Sequence, residues 1–153
     1  MDFEMINLDD REVVGVVTRI EPTSADYPRI WADGFDRHQP EVAALAAEPE
    51  YYGVYYDCGQ EGAVDFLAGM IVAASSPASG ELDRRVLPGG LYARFTCTLA
   101  TIGVTWAAIY GEWLPSSGLQ LDSSRPAFEI FPPDAGGPNS PVSISVAVLE
   151  NGG

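Results

Sequence analysis

The sequence predicts an α+β fold. Two consecutive β-α-β-β units form one antiparallel sheet, with two helices on one side and a central ligand groove where the halves meet. Three observations lead there. The order strand, helix, strand, strand occurs twice along the 153 residues. The two occurrences superpose at a shift of roughly 75 residues, the self-similarity expected of a duplicated unit. This lays "GVVTRIEPTSADYPRIW" over "GLYARFTCTLATIGVTW", with Gly15 on Gly90, Arg19 on Arg94 and Trp31 on Trp106. Finally, 46% of the residues are hydrophobic, enough for a core, and the length suits one domain. Residues 1–153 are therefore read as a single domain, with repeat halves at about 1–80 and 81–150.

In chain order, "REVVGVVTRIEP" alternates like a half-buried strand. "TSADYPRIWADGFDRH" follows as a helix, with Thr23 or Ser24 as its cap and Pro28 in its first turn. Tyr27, Trp31, Gly34 and His38 fall on one helical face, and "PEVAAL" continues with a short helical or irregular piece. "EYYGVYYD" and "VDFLAGMIVAA" are strands, and "SSPASGE" is a turn. The pattern then restarts. "DRRVLPGGLYARFTCTL" holds two strands, with Pro88, Gly89 and Gly90 as a hairpin turn. "ATIGVTWAAIYGEWL" carries a helical stripe of Ile102, Trp106, Ile109 and Trp113, stopped by Pro115 and Gly118. "AFEIF" is a strand, "PPDAGGPNSP" a loop, "VSISVAVLE" the last strand and "NGG" a frayed end.

Composition excludes several functions. Acidic residues number 22 against 8 basic ones, a net charge of −14. That field repels nucleic acid and anionic membranes and attracts cations. No run approaches the ~18 to 20 apolar residues of a membrane span. The start, "MDFEMINLDD", lacks the basic region of a secretory signal, so a cytoplasmic location is expected. Cys58 and Cys97 lack metal-ligand spacing and read as small buried hydrophobes. No H-E-x-x-H, P-loop or dinucleotide fingerprint is present, so neither metal nor cofactor is expected. Ser75, Ser76 and Ser79 lack a G-x-S-x-G context, and His38 reads as a surface or core-filling residue.

One residue stands out. In "AFEIF", Ala127, Glu129 and Phe131 share one face of a strand, and Phe128 and Ile130 share the other. In the repeat, Tyr51, Gly53 and Tyr55 correspond to Ala127, Glu129 and Phe131. One face of the seam then carries Tyr51, Tyr55 and Phe131 with a single carboxylate, while Gly53 leaves space opposite it. Aromatic walls with one anion suit a flat lipophilic cation. The residues alone leave three readings of Glu129: a wet face, a structural hydrogen bond or a ligand site. A buried carboxylate without a partner is costly unless its pKa rises until it is neutral.

The segments "LPGGLYARF", "IYGEWLPSSGLQL" and "PAFEIF" together resemble the second half of the GyrI-like domain. This is the effector-binding domain of some AraC-type and MerR-type multidrug-responsive regulators, also found alone. The resemblance implies duplicated SHS2-like units around a ligand cavity and places Glu129 inside it. Only about a dozen residues precede the first repeat, too few for a helix-turn-helix. A stand-alone form without direct nucleic-acid contact is therefore expected. The resemblance implies three functions. The first is a binding module for lipophilic, cationic or amphiphilic compounds. Glu129 would be its countercharge, Tyr51, Tyr55 and Phe131 its walls, and Trp106 and Tyr110 its helix side. The second is a hydrolase of strained, cyclopropanoid electrophiles, with Glu129 as general acid or base. The third is a gyrase-inhibitor-like protein-protein role, with the acidic surface facing a regulator or a topoisomerase.

Overall fold

Eight strands form one antiparallel sheet in the computed structural model, which describes residues 2–73, 82–134 and 137–149. They are β1 (Phe3–Leu8), β2 (Arg11–Ile20), β3 (Tyr51–Asp57), β4 (Val64–Val72), β5 (Asp83–Leu87), β6 (Gly90–Thr98), β7 (Ala127–Phe131) and β8 (Pro141–Ala147). Their spatial order is β1-β6-β8-β7-β3-β4-β2-β5. The order is symmetric about its middle: β6-β8-β7 on one side answers β2-β4-β3 on the other. Strands β3 and β7 pair along the seam, with Gly53 opposite Glu129, Tyr51 opposite Phe131 and Tyr55 opposite Ala127. The turn "SSPASGE", with Ser75, Ser76 and Ser79, and the end "NGG" lie outside the described residues.

The outer strands are exchanged between the halves: β1 pairs with β6, and β5 with β2. Sequence reading missed β1. Its acidic surroundings obscured Phe3, whose ring packs on Phe95 and Trp113 at 5.6 and 5.0 Å. The exchange also corrects the expected hairpin at Pro88-Gly89-Gly90, because β5 and β6 do not pair with each other. They stand near opposite ends of the strand order, and so do β1 and β2. Each of these pairs is nevertheless joined by only two residues, Pro88-Gly89 and Asp9-Asp10 respectively. Such short links reach only if the sheet curls until its ends nearly meet. Gly89 sits where they do. A Cβ there would lie 2.3 Å from the Leu8 carbonyl oxygen, and its N–H donates to Asp10 Oδ1 at 2.7 Å. Arg125 ties this closure together, donating to the carbonyls of Gly89 and Val148 and to Asp122 while covering the Tyr92 ring.

The inside of the curl is helix-free and packed with Val13, Tyr52, Val54, Leu67, Leu87, Tyr92 and Phe128. The other face carries both helical segments. The first runs through α1 (Tyr27–Arg29), a π turn (Ile30–Phe35), a 3-10 turn (Asp36–His38) and α2 (Gln39–Leu45). Its cap is Asp26, which accepts from the Arg29 N–H, rather than Thr23 or Ser24. The second runs from a 3-10 turn (Leu99–Thr101) through α3 (Ile102–Ala108), a π turn (Ile109–Trp113) and α4 (Leu114–Ser117). Pro115 does not stop it. The proline lies in the first turn of α4, directly after the wider π turn, and the left-handed Gly118 ends the segment. Phe35 and Val42 pack with Val14, Phe66 and Met70, and Ile109 and Trp113 with Phe95, Ile144 and Val146. The helices thus form two separate cores, and Glu129 lies at the seam between the two halves of the sheet.

Candidate functional site

Strand alternation points Glu129 to the helix side, where it is only 4% exposed. Two side chains reach its carboxylate. Trp106, from α3, donates its indole Nε1–H to Oε2 at 2.7 Å, and Tyr55, from β3, donates its hydroxyl to the same oxygen at 3.1 Å. Among the described residues no donor reaches Oε1, and no arginine or histidine lies within ion-pair distance of the group. Burial pushes the Glu129 carboxyl up to about 7, against the pull of the Trp106 and Tyr55 hydrogen bonds. Burial and the adjacent carboxylate push the Tyr55 phenol up as well, so Tyr55 remains a donor.

Aromatic rings enclose this group. Tyr55 meets Trp106 edge-on at 5.4 Å, Phe66 at 5.0 Å and Tyr27 at 6.4 Å. Tyr110, 43% exposed, stacks on Trp106 at 5.9 Å, so it backs the indole from the solvent side. Tyr51 and Phe131 stand one step away. Both meet Trp31, at 6.4 and 5.6 Å, and Trp31 in turn meets Phe66 at 6.2 Å. Of the expected site residues, Tyr55 and Trp106 therefore touch Glu129. Tyr110 reaches it through Trp106, whereas Tyr51 and Phe131 join the same aromatic cluster through Trp31.

Sequence reasoning left Tyr27, Trp31 and Phe66 out of the site. For the first two the signal was present, since they share a helical face and Trp31 aligns with Trp106. Phe66 becomes visible only from register, as the β4 residue opposite Tyr55. It also corrects the expected gap at Gly53. A Cβ on Gly53 would lie 2.8 Å from Phe66 Cζ and 3.1 Å from Glu129 Oε1, so ring and carboxylate already occupy that space. Arg11, Arg19, Arg84, Arg85, Arg94 and Arg125 all pair with other acids. The arrangement can hold a proton or accept a cation, and its rings offer quadrupolar faces to that cation.

Among the described residues no cluster of three or more His, Cys, Asp or Glu side chains could hold a metal ion. No described helix is long and apolar enough to cross a membrane. Cys58 and Cys97 are free, half-buried thiols, and burial raises the pKa of Cys97.

Several solved structures share the fold. SAV2435 bound to tetraphenylphosphonium superposes with a TM-score of 0.73 at 13% identity, covering 97% of this chain and 94% of that one. EcmrR, in a complex with DNA, gives 0.68 at 15% identity over 97% of this chain but only 57% of its own. This chain thus spans little more than half of EcmrR. A hydrolase encoded by lin2189 from Listeria innocua gives 0.63 at 11% identity, covering 96% and 91%. At such identities the likeness is one of fold. No curated protein matches the chain significantly. A family model does: residues 1–146 match the GyrI-like small molecule binding domain, and the chain belongs to that family.

Proposed function

We propose that this GyrI-like domain captures lipophilic cations or cationic amphiphiles on the helix side of its seam, with Glu129 as the countercharge. One observation carries this reading: a carboxylate 4% exposed, ringed by aromatics and without a cationic partner among the described residues. Such a group is unstable as an anion until something positive joins it. The free side of Oε1 and the faces of Tyr55 and Trp106 form the inner contact, and Tyr51, Phe131 and Trp31 an outer wall. Tyr110 supports Trp106 at the surface. The rings pack directly around the carboxylate, so a guest enters by parting Trp106 from Tyr55. The tetraphenylphosphonium bound by SAV2435, a protein of the same fold, has the chemistry this site would select.

The test is calorimetry with two probes of the same shape and opposite charge, tetraphenylphosphonium and tetraphenylborate. The wild type binds the cation more tightly. Glu129→Gln weakens the cation by about 1 to 3 kcal/mol, the range for losing a charged partner, and leaves the anion unaffected or improved. Equal cation affinity in both proteins would remove Glu129 from the site.

A hydrolytic reading rests on a separate observation. A carboxyl with a pKa of about 7 beside two hydrogen-bond donors can act as acid or base near neutrality. Product formation from a cyclopropane-containing electrophile, lost in Glu129→Ala, would support it. Binding without product leaves capture alone.

A further inference from the structure

The inside of the curled sheet contains an anomaly on β8. Alternation turns Val142, Ile144 and Val146 toward the helices and Ser143 and Ser145 toward the inside. Apolar residues are the usual choice at the centre of a sheet, yet two hydroxyls stand there. Ser145 is fully buried, and its Oγ has no hydrogen-bond partner among the described residues. A buried hydroxyl left unpaired is unfavourable, so such groups generally have a partner that completes them.

The surroundings form a cavity of about 400 Å³, within the range of small-molecule sites. Its floor is half polar and half apolar. On one side of β8, Arg94 lies opposite Ser145 and Thr96 opposite Ser143 on β6. On the other side, Phe128 and Ile130 occupy the matching places on β7. Four of the five charges at the rim are already matched, Glu50 being the fifth. Arg94 pairs with Glu4, while Arg11 pairs with Glu48 and donates to the Tyr52 hydroxyl. A cationic guest would meet two guanidinium groups. An anionic guest would meet Glu4, Glu48 and Glu50 on a chain of net charge −14. Neither improves on the existing pairs.

We propose that the inside of the curl is a second small-molecule site, for an uncharged compound joining an apolar body to an amide or hydroxyl group. The polar group bonds Ser143, which is half-buried, and reaches the covered Ser145 hydroxyl by parting the side chains above it, while the apolar body lies on Ile130 over Phe128. The site lies across the sheet from Glu129 and differs from it in charge preference.

Octanamide, octanoate and octylammonium share one alkyl chain and differ in charge, so they test the assignment. In a titration followed by backbone amide NMR, octanamide is expected to shift signals of β6, β7 and β8, with Ser143 and Ser145 among the largest. The two charged probes bind there more weakly. Ser145→Ala removes the lone hydroxyl. It should raise the melting temperature, weaken octanamide about fivefold or more and leave tetraphenylphosphonium binding unchanged. Undiminished octanamide binding by Ser145→Ala would overturn the proposal. So would octanamide shifts confined to the surroundings of Trp31 and Trp106, or charged probes that bind the inside as well as the amide does.

Discussion

Replacing Glu129 by Gln should make the protein more stable above neutral pH, although the residue lies in the proposed binding site. Glutamine resembles the protonated carboxyl in shape and removes the titration. The folded carboxyl has its pKa raised from an ordinary 4.5 to about 7, so between these values the folded chain retains a proton that the unfolded chain has lost. Stability then falls as pH rises through this window and levels off above it. At 1.36 kcal/mol per unit, the wild type is disadvantaged by about 3 kcal/mol at pH 8, but by less than about 1 kcal/mol at pH 5. For a chain of this length that corresponds to a melting temperature roughly 6 to 12 °C higher in the variant at pH 8. Thermal denaturation of both proteins from pH 4 to pH 9, followed by circular dichroism, measures the difference. Parallel profiles with no gap opening between pH 5 and pH 8 would show that the carboxylate is not held dry without a countercharge, and Glu129 would then have no need of a cation.

Three further outcomes follow from the same geometry. Protons and lipophilic cations compete for Glu129, so tetraphenylphosphonium should bind about 5- to 50-fold more weakly at pH 5 than at pH 8, whereas the Glu129→Gln profile stays flat; isothermal titration at both pH values decides. Trp106→Phe removes the shorter of the two donors to the carboxylate. At about 1.5 to 3 kcal/mol for a charged hydrogen bond, it should move the pH at which the fall in stability levels off upward by about 1 to 2 units and leave the onset of the fall in place, a change that loss of packing alone would not produce. Gly53→Ala drives a methyl against Phe66 and Glu129 Oε1, and Phe66 is fully buried. It should cost about 1 to 3 kcal/mol in urea denaturation, and an unchanged midpoint would mean that Phe66 can retreat.

Part of the candidate site's geometry was legible because its signals are local. Glu129 stands between apolar neighbours in a short strand, and a dry carboxylate in such a setting attracts notice whatever surrounds it. Trp106 lies on a helical stripe with Ile102, Ile109 and Trp113, which predicts that it faces the sheet. What local pattern could not supply was the hierarchy. Tyr55 donates to Glu129 while Tyr51, on the same face of the same strand, meets Trp31 instead. The separation between them along β3 is only two residues, but it moves Tyr51 out of reach of the carboxylate. Gly53 was read as empty space because a sequence shows a missing side chain and not what fills its place. Phe66 fills it from the neighbouring strand.

Seven of the eight strands, both helical segments, the repeated order and the one acid worth following could be read from the sequence alone. Alternation and helical periodicity are properties of a few consecutive residues, and burial selects them wherever they occur. The tertiary structure alone shows that β1 and β5 exchange places, that Pro88-Gly89 crosses between sheet ends instead of turning a hairpin, and that Glu129 has two donors and no cationic partner among the described residues. Those outcomes depend on pairings between distant segments: Tyr55 and Glu129 are 74 residues apart, and the pair joined by Gly89 and Asp10 is 79 apart. Such contacts form because the curl lets both ends of the sheet hide their apolar inner face, a gain that no single strand carries in its own sequence.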